Sequence, residues 1–154
     1  YPAAPETYPI LSCNAIATGA FSVKVYPTVA GLSITSANAT GTLNLNGATN
    51  VTFDGRVNQT GVNDLVIANT NAGASYAVQF VNDARNNALQ YLTIQSVNNS
   101  TTSGTIVFAG STGGTTGNDN NLIDHCDIKD GATTPVNAIY SAGTSTAIDN
   151  SGNS

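Results

Sequence analysis

Ile123-Asp124-His125-Cys126-Asp127-Ile128 reads apolar, polar, polar, apolar, polar, apolar. The same six-residue pattern occurs at Val29-Ala30-Gly31-Leu32-Ser33-Ile34, Ala48-Thr49-Asn50-Val51-Thr52-Phe53 and Leu89-Gln90-Tyr91-Leu92-Thr93-Ile94, where Tyr91 replaces a polar residue. Alternate residues of a strand face one side, so Cys126 and Ile128 share a face, as do Leu92 and Ile94. Ile123 has the wrong parity to join that strand directly. A two-residue corner at Asp124 and His125 turns it back to the same interior. Asn50 and His125 take one corner position in this alignment, and Asn tolerates the left-handed backbone such a corner needs. Strand, corner and strand in repetition predict a solenoid: an all-β, right-handed parallel β-helix in which like residues stack over like.

The last residues of the copies, Ile34, Phe53, Ile94 and Ile128, are spaced by 19, 41 and 34 residues. A short coil takes roughly 20 residues. The spacing therefore predicts one near-minimal coil and two with long loops, although the 41-residue interval has room for two coils. Further strands are predicted at Phe21–Tyr26, Thr42–Asn46, Leu65–Ile67, Tyr76–Val81, Gly104–Ala109 and Asn137–Tyr140. Residues 1–28 read as an extended leading segment with a first strand, and residues 29–154 as β-helix coils. The low-complexity run Ser111–Asn121 is expected to protrude as a loop. Asn150 to Ser154 resembles the start of another turn rather than a cap, so the coils are expected to continue past it. The competing fold is a Ser/Thr/Asn-rich β-sandwich, whose strands would pair through hairpins with turns every 8–12 residues.

Composition agrees with short strands and tight turns. Only 8% of the 154 residues are charged, against about a quarter in an ordinary domain, while Asn numbers 20, Thr 21 and Gly 15. Apolar content of 40% supports a real core. The net charge of −5 and the scattered Lys24, Arg56, Arg85 and Lys129 speak against a nucleic-acid partner. No apolar run approaches the roughly 20 residues of a membrane-spanning helix, so membrane insertion is not expected.

The two cysteines, Cys13 and Cys126, have no metal-type spacing. In a solenoid about four coils separate them, near 19 Å at roughly 4.8 Å per coil, well beyond the ~7 Å a disulfide spans between Cα atoms. Two buried free thiols acting as small apolar side chains are the expectation.

The phrases Thr42–Gly55, Leu89–Ile94 and Asn120–Gly131, with Thr134–Ser141 fitting as well, resemble the right-handed β-helix repeats of large secreted Bacteroidota surface proteins. The resemblance covers about residues 29–154. It implies export, often through the type IX system, and an extracellular or cell-surface location. Members are long and usually end in a sorting domain, which is not visible here, so a fragment is implied. The family is mostly without defined activity, and the resemblance speaks to fold and location more than to function.

Asp124, His125, Asp127, Lys129 and Asp130 form the densest titratable cluster. Paired carboxylates cleave polysaccharides as acid and base, or bind Ca²⁺ for elimination, which makes Asp124, Asp127 and Asp130 the catalytic candidates. Strand parity divides them: Asp127 and Lys129 are expected outward and Asp124 at a corner, so a solvated rung is the simpler expectation. His125 is the sole histidine, and no nucleophilic triad can be assembled around it. Asn118 and Asp119 offer oxygen ligands for Ca²⁺, the one metal considered, without the spaced carboxylates of an EF-hand; no other cofactor is implied. Tyr91 and Tyr140 are candidates for stacking on sugars. Sequons occur at Asn38, Asn50, Asn58, Asn98 and Asn99, of which Asn38, Asn58 and Asn98 are the glycosylation candidates. The function expected is a structural or adhesive extracellular module whose partners are polysaccharide or cell-surface components. A β-helix lyase or glycoside hydrolase is one alternative. The other is a filament subunit that associates end to end.

Overall fold

The computed structural model describes residues 11–12, 22–110, 114–145 and 148–154. The strands are β1 (Leu11–Ser12), β2 (Val23–Val25), β3 (Ser33–Ser36), β4 (Gly41–Asn46), β5 (Val51–Asp54), β6 (Val66–Asn69) and β7 (Tyr76–Val81), followed by β8 (Ala88–Gln90), β9 (Thr93–Ser96), β10 (Ile106–Phe108), β11 (Leu122–Asp124), β12 (Asp127–Asp130) and β13 (Ile139–Ser141). Every third strand joins the same sheet. Sheet A runs β1-β4-β7-β10-β13, sheet B runs β2-β5-β8-β11 and sheet C runs β3-β6-β9-β12. All strand pairs within them are parallel. Among the described residues no hairpin links consecutive strands, which removes the sandwich and establishes the parallel β-helix. The segment read as leading into the helix already contributes rungs, since β1 pairs with β4 and β2 with β5. No helix among the described residues is long and apolar enough to cross a membrane.

The three sheets face one another across a single apolar interior. Sheet A contributes Leu43, Val78 and Ile106 in one column and Leu45, Phe80 and Phe108 in the next. Sheet B contributes Phe53 and Leu89, and sheet C contributes Ile67 and Ile94, all buried. The Phe80 and Phe108 rings stack at 4.7 Å with planes 6° apart, a separation set by the rung repeat itself. Burying each such side chain is worth roughly 1.5–3 kcal/mol, and this interior supplies the main drive to coil.

The register corrects the spacing argument. Ile34, Ile67, Ile94 and Ile128 form one column of sheet C, and Leu32, Leu65, Leu92 and Cys126 precede them at one corner. Phe53 belongs to sheet B, between Val25 and Leu89. No short coil exists between Ile34 and Phe53, and the long interval does hide an extra rung, Leu65-Val66-Ile67. The cause is physical. The six-residue pattern describes a strand end, a left-handed corner and a new strand, and this β-helix has two corners of that kind. Val29–Ile34, Leu89–Ile94 and Ile123–Ile128 lie at the corner from sheet B to sheet C, whereas Ala48–Phe53 lies at the corner from sheet A to sheet B.

Backbone dihedrals identify both corners. Asn50 (φ 61°), Asn86 (φ 55°), Asn120 (φ 55°) and Gly152 (φ 63°) occupy the corner between A and B. Gly31 (φ 75°), Tyr91 (φ 52°) and His125 (φ 51°) occupy the corner between B and C. Gly adopts this region without penalty and Asn with little. In the coil of β5 and β6 the second corner is expanded to residues 55–64, which include a single 3₁₀ turn at Val57–Gln59.

Asparagine amides hold the A-to-B corner along the axis. Asn87 Oδ1 accepts from the Val51 N–H at 3.0 Å, while Asn87 Nδ2 donates to the Ala48 carbonyl and to Asn121 Oδ1, both at 2.9 Å. Asn121 repeats this geometry one coil on, donating from Nδ2 to the Ala84 carbonyl at 2.9 Å and to Asn153 Oδ1 at 3.0 Å. A second column joins Asn118 to Asn150 at 2.8 Å. Thus the end of the run Ser111–Asn121 is not a protruding loop: Asn118 and Asn121 are buried, and their residue type is dictated by this ladder.

Candidate functional site: corner stack and sheet A groove

The B-to-C corner gathers the most chemically rich side chains. Asp54, fully buried, binds Arg56 through two oxygens, Oδ1 to Nε at 2.9 Å and Oδ2 to Nη2 at 2.7 Å. The fork fixes the guanidinium over the Tyr91 ring, 4.0 Å from its centroid. The other face of Tyr91 lies on the His125 ring, with centroids 4.7 Å apart and planes 17° from parallel. His125 Nδ1 lies 2.6 Å from Asp124 Oδ1. Arg56, Tyr91 and His125 therefore form a continuous stack across three coils. Tyr91 and His125 sit in a backbone region that costs bulky residues about 1–3 kcal/mol, and the stacking helps to offset it. The Arg56 guanidinium holds the Asp54 carboxyl below the usual carboxylate range.

Tyr91, a candidate sugar platform, has both ring faces covered within this stack. Asp124 is engaged with His125, Asp127 pairs with Lys129 at 2.9 Å, and Asp130 accepts from the Thr134 hydroxyl at 2.8 Å. On the adjacent rung Asp127 stands beside Thr93, and Asp130 beside Ser96. The structure does not bring these carboxylates face to face. Asp124 shares a sheet B column with Asp54, with Gln90 between them. Cys126 is a free thiol packed against the core, 3.3 Å from the Leu89 carbonyl, and burial pushes its pKa up. Cys13 lies outside the described residues.

Of the two Ca²⁺ candidates, Asn118 accepts from the Ala84 N–H and Asp119 accepts from the Ser151 N–H at 2.8 Å and its hydroxyl at 3.1 Å. Among the described residues no three His, Cys, Asp or Glu side chains come together as a metal site would require. The sequons differ in access. Asn58 is exposed on the expanded corner, Asn38 Oδ1 accepts from the Thr40 N–H and hydroxyl, and Asn98 is buried with its amide donating to the Ser75 carbonyl. A folded Asn98 offers no free amide for glycosylation.

Asp83, unremarked in the sequence, clamps the next coil. Its carboxylate accepts from the backbone N–H groups of Thr115, Thr116 and Gly117 at 2.7, 3.1 and 2.9 Å and from the Thr115 hydroxyl. Burial works to raise its pKa, but these four bonds outweigh burial and hold it below 3.8. A depressed folded-state pKa means stability that is present above the unfolded value and lost as pH falls through the folded one. Asp83→Asn is accordingly expected to be less stable than the parent at pH 7, with the gap between them closing as pH is lowered below about 3.8. Urea denaturation across that range checks it; a gap independent of pH would sink the clamp.

Tyr140 leads to the second feature, a groove on the outer face of sheet A. Gln79, Val107 and Tyr140 are in register on three successive rungs, β7, β10 and β13. Together with Tyr76 and Ala109 they line a depression of about 260 Å³. Tyr76 is 7% exposed, and its ring lies over Gly41, where a Cβ would come within 1.9 Å of it. Burial raises the Tyr76 hydroxyl to about 12, so it stays protonated and a donor. Gln79 carries no signal in the sequence, because nothing in a linear pattern says which residues of different coils meet.

No family profile, curated protein or solved structure matches this chain.

Proposed function

We propose that this chain is a non-catalytic structural or adhesive module of a secreted or cell-surface protein, with polysaccharide or envelope components as its contacts. One observation carries the reading: most of the described carboxylates are engaged by neighbouring groups of the fold. Asp54 anchors Arg56, Asp83 clamps residues 115–117, Asp119 holds Ser151 and Asp127 pairs with Lys129. A glycosidase needs two opposed carboxyl groups, one of them kept protonated. Asp54 and Asp124 are the only acidic pair sharing a column among the described strands, and Asp54 is buried, bound by Arg56 and held ionised. The low charge and the likeness to secreted β-helix repeats support an extracellular setting.

The test is retention against cleavage. Applied to immobilised polygalacturonate and to a neutral β-glucan, the protein is expected to be retained on at least one and to release no new reducing or unsaturated ends. Retention is expected to survive Asp127→Ala. Depolymerisation that disappears in Asp124→Asn would overturn the reading in favour of a lyase or hydrolase.

A further inference from the structure

We propose that the groove between Tyr76 and Tyr140 on the outer face of sheet A is a binding site for a neutral pyranose, one ring of an uncharged glycan. The inference rests on the adhesive reading and names the chemistry of its contact surface.

Four features of the groove converge on this ligand class. Its lining contains no Asp, Glu, Lys, Arg or His. An ionised ligand seated there would lose hydration with no opposite charge to replace it. Its volume of about 260 Å³ lies just below the roughly 300–1,000 Å³ of pockets that take drug-sized molecules, so one ring fits and a long chain does not. Its floor and walls are Val107, Ala109 and the two tyrosines, apolar and aromatic surface that packs against the C–H face of a sugar. Its polar groups are neutral and available. The Gln79 side-chain amide makes no hydrogen bond among the described residues.

Register sets the dimensions. Gln79 and Tyr140 stand two rungs apart with Val107 between them, a separation of about 9–10 Å along the axis. A ring laid over Val107 would meet the Tyr140 face on one side and the Gln79 amide on the other. Gly41 belongs to the same design, since any side chain there would collide with the Tyr76 ring that forms one wall. Tyr91 does not compete for this role, because both faces of its ring are already filled.

The experiment is a titration of the full chain by heteronuclear NMR and calorimetry. The probes are cellohexaose, mannohexaose, chitotriose and, as the anionic comparison, hexagalacturonate. The expected result is saturable binding of at least one neutral probe, with shifts confined to residues around Gln79, Val107 and Tyr140. Loss of one stacked aromatic ring is worth about tenfold in affinity, so Tyr140→Ala should weaken binding by that factor while Tyr140→Phe retains it. Gln79→Leu should weaken binding several-fold. Far-UV circular dichroism and thermal melts of each variant verify folding, and Tyr26→Ala, which alters a tyrosine outside the groove, should bind as the parent does. Three outcomes overturn the proposal: no neutral probe binding at 10 mM, binding unaffected by both Tyr140→Ala and Gln79→Leu, or preference for the galacturonate. If retention on polysaccharide persists in any of these cases, the groove assignment falls while the adhesive reading stands. Loss of retention as well removes both.

Discussion

Replacing Asn121 by leucine is expected to destabilise the protein by about 3–5 kcal/mol, although the two side chains are similar in size. Asn121 is 1% exposed and serves two coils at once. Its Oδ1 accepts from the Asn87 N–H at 3.1 Å and from Asn87 Nδ2 at 2.9 Å, while its Nδ2 donates to the Ala84 carbonyl and to Asn153 Oδ1. Leucine removes all four bonds and strands the Asn87 N–H, part of the Asn87 amide and the Ala84 carbonyl away from water. Each stranded buried group costs about 1–3 kcal/mol. The check is the urea midpoint of Asn121→Leu at unchanged m-value, which separates lost stability from a changed denatured state. A loss under 1 kcal/mol would mean that water or rearranged neighbours replace the ladder, and the account of the corner would then be wrong.

Phe80→Ala should be comparably damaging, by about 3–5 kcal/mol. Phe80 is fully buried at the centre of sheet A, between Leu45 on one rung and Phe108 on the next. Its ring stacks on Phe108, so truncation removes the side chain's transfer energy and the contact together. The coils above and below are tied by their own strand pairing and cannot close onto the void, which leaves a cavity term in the cost. Thermal and urea unfolding of the variant measure it. A fall below about 1 kcal/mol would show that the interior collapses freely, contrary to a rigid stack of rungs.

Much of the architecture was legible in residues taken a few at a time. Alternation in Leu89–Ile94 and Ile123–Ile128 identified inward positions correctly, and Leu92, Ile94, Cys126 and Ile128 do belong to the interior or pack against it. The corner residues were legible too, since Asn50, Tyr91 and His125 all have positive φ. Tyr91 was picked out because it broke the polar rule, and that signal had a cause: it sits between Arg56 and His125. The assignment of Tyr91 to sugar contact did not follow, because a linear pattern cannot reveal that both faces of a ring are occupied. Asn118 and Asp119 looked like loop oxygens for the same reason. Their hydrogen-bond partners, Asn150 and Ser151, are a whole coil away.

The sequence by itself determined the local grammar of this protein: short alternating strands and left-handed corners, most of them marked by Asn or Gly. Those properties depend on neighbours within six residues, where parity and backbone sterics act. Tertiary structure alone decided which sheet each strand joins, why Phe53 stacks with Leu89 rather than with Ile94, and which side chains share the groove on sheet A. Two corners of the β-helix obey one sequence pattern, so the pattern is degenerate. Only the stacking of entire coils, where burial of the interior and the asparagine ladders must be satisfied together, selects one register.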